Sequence, residues 1–131
     1  MKKNPTVLIV EDERPLINAI KSKMELCGLD SVSARTANQA LDYLASLEQV
    51  DLIWLDHYLL GKEDGLDFVT KVKGEEKWKK IPIFVVSNTA TADKKFSYLN
   101  LGVEKYYVKS DHRLNEIIED VKSLLDKNSH D

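Results

Sequence analysis

The stretch Val-Leu-Ile-Val-Glu-Asp-Glu at residues 7–13 decides the fold. Its first four residues are apolar without interruption. Such a run is typical of a β-strand covered by helices on both faces, because a strand with one wet face would alternate apolar and polar residues. The run ends abruptly in three acidic residues. The stretch therefore predicts a buried parallel strand with carboxylates at its carboxyl end.

Four further short apolar runs alternate with helical patterns along the chain. Parallel strands need right-handed crossovers, so the helices between them must cover both faces of the sheet. We therefore predict five βα units in an α/β fold with three layers, of the doubly wound type. The predicted strands span 6–10, 31–34, 52–55, 81–86 and 104–108.

Helix signals fill the segments between these runs. Pro15 lies near the start of the first helix and Gly28 just past its end, where each residue is favoured. Thr36 with Gln39 is the pattern of a capping box that opens the second helix. The third and fourth helices are predicted at about 66–73 and 92–101. The predicted buried stripes are Leu16, Ile20, Met24 and Cys27 in the first helix, Ala37, Ala40, Leu41 and Leu44 in the second, and Leu114, Ile117, Ile118, Val121, Leu124 and Leu125 in the last.

The composition is that of an ordinary soluble globular protein. The 131 residues are 43% hydrophobic and 31% charged, which suits one domain with one substantial core. Nineteen basic and 22 acidic residues give a formal charge of −3, which disfavours a dedicated nucleic-acid binder. The single cysteine, Cys27, fits a core position and a reducing compartment. The apolar run 7–10 is too short for a signal peptide or a membrane span, so we expect a cytoplasmic protein.

Polar residues end four of the predicted strands. Glu11 and Asp12 follow the first, Asp56 the third, Ser87 the fourth and Lys109 the fifth. Ligands of doubly wound sheets bind at the carboxyl ends of the strands, so these side chains should meet. Taken singly, each residue has an ordinary interpretation as a helix cap, a turn residue or a solvated lysine. Their joint occurrence at one edge of the sheet indicates a functional site.

Three carboxylates in one crevice predict a metal ion. Glu11, Asp12 and Asp56 would repel one another, and burying them together is costly without a cation. A set of oxygen donors without paired His or Cys suits Mg²⁺, completed by phosphate oxygens, and argues against zinc. Lys109 adds a positive charge and Ser87 a hydroxyl donor. This combination suits a phosphoryl group on one carboxylate.

These residues are similar to those of a known family: the chain resembles the receiver domain of two-component response regulators, the CheY-like domains. The resemblance rests on Val-Leu-Ile-Val-Glu-Asp-Glu at 7–13, Asp-Leu-Ile-Trp-Leu-Asp at 51–56, Ile-Pro-Ile-Phe-Val-Val-Ser at 81–87 and Tyr-Tyr-Val-Lys at 106–109. Any one of these motifs is weak, but together they are highly specific. The resemblance implies a flavodoxin-like, five-stranded parallel sheet of strand order 2-1-3-4-5 with five helices.

The resemblance implies that Asp56 is the phosphoacceptor of a phosphorelay. Asp12 would bind Mg²⁺ directly with help from Glu11, and the backbone carbonyl of Tyr58 would be a further ligand. The phosphoryl group would come from a sensor histidine kinase or a histidine phosphotransfer protein. Water would later hydrolyse the aspartyl phosphate, past the side chains of Tyr58 and Thr89. Self-catalysed phosphoryl transfer and autodephosphorylation are the only reactions implied, so the chain is expected to signal rather than to act as an enzyme.

Three further residues receive roles from the same resemblance. Ser87 matches the hydroxyl residue that hydrogen-bonds the acyl phosphate, and Lys109 matches the lysine that pairs with it. Tyr106 matches an aromatic switch, although it could also be an ordinary half-buried strand residue. Movement of Ser87 and Tyr106 would alter the surface of the fourth helix, fifth strand and last helix, and so change the binding of a downstream protein.

Three positions near the site stand out. Ser110 follows Lys109 where the family has Pro in a cis peptide; either a cis bond persists here at a cost of about 2.5 to 4 kcal/mol, or the bond is trans and Lys109 is aimed differently. Leu60 replaces a second Pro. His57 follows the acceptor directly, but alternation along a strand points its side chain to the opposite face, so we do not predict a catalytic base.

We expect a stand-alone receiver domain over 1–127 with a short disordered tail at 128–131. It should be a monomer or weak dimer that inserts in no membrane and binds no nucleic acid directly, because the lysines around Trp78 are interleaved with glutamates as in a solvated helix end. Two alternatives stay open. The first is a degenerate receiver that binds partners without phosphorylation. The second is a phosphatase or phosphotransferase that uses Asp56 as nucleophile, disfavoured because the haloacid-dehalogenase type has a second Asp where this chain has Tyr58.

Overall fold

The computed structural model describes residues 4–88 and 91–128, which form one α/β unit of alternating strands and helices. The strands are β1 (Thr6–Val10), β2 (Asp30–Ala34), β3 (Leu52–Leu55), β4 (Ile83–Ser87) and β5 (Lys105–Val108). The helices are α1 (Arg14–Leu26), α2 (Ala37–Ser46), α3 (Gly65–Lys73), α4 (Ala92–Asn100) and α5 (Leu114–Asn128), and a short 3₁₀ helix (Lys109–Asp111) precedes α5.

The five strands form one parallel sheet in the order β2-β1-β3-β4-β5. Successive strands are added on one side of β1 and then, from β3 onward, on the other side, which places helices on both faces. The predicted doubly wound, flavodoxin-like fold is therefore confirmed. Within the described ranges, no helix combines the length and the apolar character that crossing a membrane requires.

Alternate residues of the strands enter two separate cores. Val7 and Ile9 of β1 lie in the core beneath α1 and α5, whereas Leu8 and Val10 lie in the core beneath α2, α3 and α4. Since both faces are covered, successive residues of β1, β3 and β4 are all buried. Burial of each such aliphatic side chain contributes about 2 kcal/mol, which is why these strands read as continuous apolar runs.

The buried stripe of α1 matches the prediction at Ile20 and Met24 but differs at its two ends. The residues of α1 that are buried are Ile17, Ile20 and Met24, at the spacing of three and four that one helix face requires. Leu16 and Cys27 were predicted to lie in this stripe, but both are only half-buried at its margin. Cys27, predicted as a core residue, packs against the core beneath α1 and α5 but is only partly buried.

Other boundaries and caps differ in detail. The Thr36 hydroxyl accepts from the Gln39 N–H as predicted. The Gln39 side chain accepts from the N–H of Arg35 rather than that of Thr36, so the predicted capping box of α2 is only half formed.

Two element boundaries also differ from the prediction. β4 begins at Ile83 instead of residue 81. The predicted tail began at 128, yet Asn128 is helical, and the rest of that tail lies outside the described residues.

Candidate functional site

The carboxyl ends of β1 and β3 bring three carboxylates together. Glu11 and Asp12 directly follow β1 and Asp56 directly follows β3, and these two strands are paired neighbours in the sheet. One carboxylate oxygen from each residue lies within 4.8 Å of the other two. Glu11 and Asp56 are buried, whereas Asp12 is half-buried at the rim. The local strand endings thus assemble the predicted acidic pocket.

Glu11 is held by donors on both of its carboxylate oxygens. Oε2 accepts from the backbone N–H groups of Asp12 (2.9 Å) and Glu13 (3.2 Å), and Oε1 accepts from Nζ of Lys109 (2.8 Å). Burial nevertheless raises the pKa of Glu11 to about 7, since the bond to Lys109 offsets only part of the desolvation and the charge of Asp56 adds repulsion. These contacts suit a supporting role for Glu11 beside Asp12.

The Lys109 side chain enters the site although Ser110 follows it. The Lys109–Ser110 peptide bond is trans, which decides between the two possibilities left by the sequence. Nζ of Lys109 lies 2.8 Å from Oε1 of Glu11 and 3.5 Å from Oδ2 of Asp56. Burial alone would lower the pKa of Lys109, but the hydrogen bond to Glu11 and the charge of Asp56 outweigh it and raise the pKa. The lysine is therefore charged and nearer Glu11.

Among the described residues, one carboxylate oxygen of Asp56 has no hydrogen-bond partner. Burial raises the pKa of Asp56, opposed by the charge of Lys109, the backbone N–H of His57 and the hydroxyl of Ser87. Oδ1 is buried and has no hydrogen-bond donor among the described residues. Leaving a buried carboxylate oxygen without a donor costs free energy that a bound cation would recover. This oxygen is an open acceptor position at the floor of the pocket.

The donor set fits a hard divalent cation such as Mg²⁺. The pocket offers carboxylate oxygens at short mutual distances, one of them unpartnered, and its half-buried Asp12 leaves it open to solvent. The residues that would hold the ion are Asp12 and Asp56, supported by Glu11. The backbone carbonyl of Tyr58 as a further ligand stays a prediction. The Tyr58 ring is 57% exposed beside the pocket and lies edge-on to His57. The predicted Thr89 lies outside the described residues.

Ser87 links Asp56 to Tyr106. The buried Ser87 side chain, at the end of β4, interacts with both residues and opposes the rise that burial causes in the pKa of each. The Tyr106 ring is half-buried, and its centroid lies 5.7 Å from that of Tyr98 on α4. Tyr106 therefore interacts with Ser87 in the unmodified protein. Its role as a switch stays a prediction.

Arg35, which the sequence did not indicate, joins the loops around the pocket. Its Nε donates to the carbonyl of Asp12 (3.0 Å), and its own carbonyl accepts from the N–H of Leu60 (3.1 Å). The bond from Leu60 exists only because this residue is not proline, which has no N–H. The loops that carry Asp12 and Asp56 are thus tied through one residue after β2. In the sequence, Leu60 in place of the family's Pro was the one feature that could have indicated this connection.

His57 and Tyr98 form a buried polar pair that the sequence also did not indicate. The residues are 2% and 0% exposed, and Nδ1 of His57 lies 2.6 Å from the Tyr98 hydroxyl. Nε2 of the same ring lies 3.8 Å from Oδ2 of Asp64, the residue that caps α3. Burial lowers the pKa of His57 and raises that of Tyr98, so both are neutral at neutral pH. The imidazole packs edge-on against the Tyr98 ring of α4.

The lysines around Trp78 carry ordinary surface contacts. Lys71 pairs with Glu63 at 2.7 Å and Lys79 with Glu76 at 2.8 Å. The Trp78 ring is half-buried against the core. These contacts are those of the solvated helix end that the charge pattern predicted.

A doubly wound sheet that presents carboxylates after β1 and β3 and a lysine after β5 has the arrangement expected of a receiver domain. Comparison with known proteins agrees. Residues 7–122 match the sequence model of the family described as the response regulator receiver domain. The chain therefore belongs to the response regulator receiver domain family of two-component signalling, in which a phosphoacceptor role is general.

Individual relatives support the assignment. The chain is 30% identical over 118 residues to a chemotaxis protein CheY homolog of Campylobacter jejuni, covering 88% of this chain and 90% of that protein. It is 29% identical over 120 residues to the phosphate regulon transcriptional regulatory protein PhoB of Pseudomonas aeruginosa, covering 92% of this chain but 51% of PhoB, so it spans about half the length of that relative. The crystal structure of the phosphorylated cyanobacterial phytochrome response regulator RcpA matches with a TM-score of 0.79 and 28% identity, over 92% of this chain and 91% of that one.

Proposed function

We propose that this chain accepts a phosphoryl group on Asp56, with Mg²⁺, from the phosphohistidine of a sensor histidine kinase or histidine phosphotransfer protein. Phosphorylation then changes the binding of a downstream protein at the surface of α4, β5 and α5. The observation that carries the proposal is the unpartnered Oδ1 of Asp56, buried in the pocket that Glu11, Asp12 and Lys109 surround. Because phosphohistidine donors are made from ATP, the proposal includes a cytoplasmic location.

The transfer is a nucleophilic displacement at phosphorus. A carboxylate oxygen of Asp56 forms the new P–O bond as the P–N bond of the phosphohistidine breaks, and the imidazole leaves with the electron pair. Lys109, held near the pocket by Glu11, places its positive charge 3.5 Å from Asp56, where it would offset charge on the phosphoryl oxygens. Bound Mg²⁺ would supply further neutralisation of that charge. The chain's own contribution is thus positioning and electrostatic stabilisation.

The change in partner binding would follow from the contacts that connect Asp56 to α4. A phosphoryl group on Asp56 would compete with Tyr106 for the Ser87 hydroxyl, because Ser87 interacts with both residues in the unmodified protein. Tyr106 contacts Tyr98, so a change at Ser87 reaches α4 through packed aromatic rings. Phe96 and Leu99 of α4 are exposed at 66% and 45% and present apolar surface to a protein partner.

Measurement of intact mass tests the proposal. The parent, Asp56→Asn and the surface control Asp126→Asn are incubated with acetyl phosphate and Mg²⁺, then weighed. The parent and Asp126→Asn should each gain the mass of one phosphoryl group, and Asp56→Asn none. Omission of Mg²⁺ should suppress the gain. An equal gain in Asp56→Asn would place the phosphate elsewhere and refute the assignment.

The alternatives predict different outcomes in the same experiment. A degenerate receiver, which binds partners without phosphorylation, would show no adduct on the parent. A phosphatase or phosphotransferase would turn over small phosphoesters many times without a lasting adduct. The Tyr58 side chain, at the position where the haloacid-dehalogenase type has its second Asp, is an exposed phenol and offers no carboxyl group for that chemistry.

A further inference from the structure

The His57–Tyr98 pair lies where three elements meet. His57 immediately follows Asp56 at the end of β3, Tyr98 lies on α4, and Gly65 begins α3 between them. A Cβ at Gly65 would collide with the Tyr98 hydroxyl and would crowd the backbone of Asp56 and His57. The close approach of α3 therefore depends on glycine at this position, and it encloses the polar pair completely.

The backbone of His57 connects this pair to the phosphoacceptor. The His57 carbonyl accepts a 2.9 Å hydrogen bond from the N–H of Gly65. The His57 N–H donates to the Asp56 carboxylate and lowers its pKa. The imidazole is anchored on Tyr98 by the 2.6 Å bond and faces the α3 cap at Asp64. The anchored imidazole thus restrains the position of His57, and with it the peptide group that contacts Asp56.

We propose that the His57–Tyr98 hydrogen bond is a positioning link that couples the Asp56 carboxylate to α4, beside the connection through Ser87 and Tyr106. The two connections converge on Tyr98, whose ring contacts those of both His57 and Tyr106. A shift of Asp56 on phosphorylation reaches α4 through the His57 backbone and ring, and the position of α4 in turn sets how readily Asp56 reacts. The inference rests on the proposed function of Asp56 as phosphoacceptor.

Tyr98→Phe removes the hydroxyl and keeps the buried ring. The matched control is Tyr107→Phe, which also removes a 2.6 Å hydrogen bond, from the Tyr107 hydroxyl to Asp120 of α5. In the unmodified proteins, hydrogen exchange of single amides is followed by NMR. Tyr98→Phe should raise the exchange rates of the His57 and Gly65 amides by about fivefold or more relative to the Ile53 amide of β3, as selective local opening does. Tyr107→Phe should leave this ratio unchanged.

A second measurement uses acetyl phosphate and Mg²⁺ with the same proteins. In the parent and in Tyr107→Phe, phosphorylation of Asp56 should change the exchange of the α4 amides. In Tyr98→Phe this response should be lost, and the initial phosphorylation rate should fall by about threefold or more, because misplacing a reacting group slows its reaction. His57→Asn, which keeps a polar group near the place of Nδ1, should retain more of the response than His57→Leu. If Tyr98→Phe does not fold, the comparison of His57→Asn with His57→Leu tests the proposed link instead.

The outcomes separate the two proposals. If the parent takes up no phosphate, the proposed function fails, and the exchange ratio in the unmodified proteins alone decides the link. A uniform rise of all amide exchange rates in Tyr98→Phe would show loss of overall stability only and would overturn the link. An unchanged phosphorylation rate with an unchanged response of α4 would overturn it as well.

Discussion

Nζ of Lys109 lies 2.8 Å from Oε1 of Glu11 but 3.5 Å from Oδ2 of Asp56. The shorter contact joins the ends of β1 and β5 across the pocket. Since Glu11 is fully buried, removal of its partner would leave a buried charge uncompensated. The lysine therefore supports the folded state through Glu11 and the proposed chemistry through Asp56.

Replacing Lys109 by Met should destabilise the protein more at pH 8 than at pH 5. Near pH 8 the ionised Glu11 loses its partner, and we expect the free energy of unfolding to fall by about 2 kcal/mol or more. At pH 5 the folded protein holds Glu11 protonated, so the loss should be smaller. Urea unfolding measures both values. Lys122→Met breaks the exposed pair with Asp126 and should cost less than about 0.5 kcal/mol; equal losses in the two variants would contradict the prediction.

Without Mg²⁺, stability should decrease as pH rises from about 4.5 to 7. The pKa of Glu11 is raised from 4.5 to about 7 in the folded protein, so between these values the folded state binds more protons than the unfolded state. The decrease attributable to Glu11 has an upper limit of about 3.5 kcal/mol, because the pKa changes from 4.5 to about 7 and each pKa unit corresponds to about 1.4 kcal/mol. Urea unfolding in EDTA at pH 5 and pH 8 should show a smaller decrease for Glu11→Gln. The exposed control Glu76→Gln should behave as the parent does, and a parent with flat stability would refute this pH dependence.

Addition of Mg²⁺ at pH 8 should raise the melting temperature. A cation in the pocket offsets the repulsion among the carboxylates and binds the folded state only, so the midpoint should rise by about 3 °C or more at saturation. Thermal unfolding followed by circular dichroism measures the shift, which EDTA should reverse. Asp12→Asn should reduce it strongly and Asp126→Asn should not. A shift of the same size in Asp12→Asn would exclude Asp12 as a ligand.

Gly65→Ala should destabilise the fold, whereas Gly74→Ala should not. A Cβ at Gly65 would overlap the Tyr98 hydroxyl and approach the Asp56 carbonyl to 3.1 Å, so overpacking should cost about 1 to 3 kcal/mol. At Gly74 the backbone is right-handed helical and the closest atom lies 3.4 Å away, so the change should stay within about 0.5 kcal/mol. Chemical denaturation compares the two variants. Similar values for both would mean that α3 is free to move away from α4.

Tyr106→Ala should accept phosphate on Asp56 without passing the change to β5 and α5. The variant loses both the hydroxyl that interacts with Ser87 and the ring that packs on Tyr98. Hydrogen exchange by mass spectrometry, with and without acetyl phosphate, should show a response of β5 and α5 in the parent only. Tyr43→Ala, a half-buried aromatic of α2, serves as the control and should keep the response. A preserved response in Tyr106→Ala would refute the switch.

Local sequence patterns predicted most of the fold, because burial and the spacing of apolar residues decide which segments form strands and which form helices. Unbroken apolar runs marked β1, β3 and β4, whose side chains are buried on both faces. Details that depend on how elements pack were missed: α1 buries Ile17 instead of Leu16, since the rotation of a helix against the sheet is set by its neighbours. Likewise, Gln39 reached the N–H of Arg35 rather than that of Thr36.

The sequence by itself determined which residue types end the strands, and hence that Glu11, Asp12 and Asp56 share one edge of the sheet. Parallel strands with crossovers on both faces allow no other placement. The tertiary structure alone decided the contacts between distant positions: Lys109 with Glu11, Arg35 with Asp12, and His57 with Tyr98. These pairs are 98, 23 and 41 residues apart, and periodicity and spacing describe only neighbours within a few residues. The choice of partner at such separations is made by packing, which buries each polar group only where a donor or acceptor meets it.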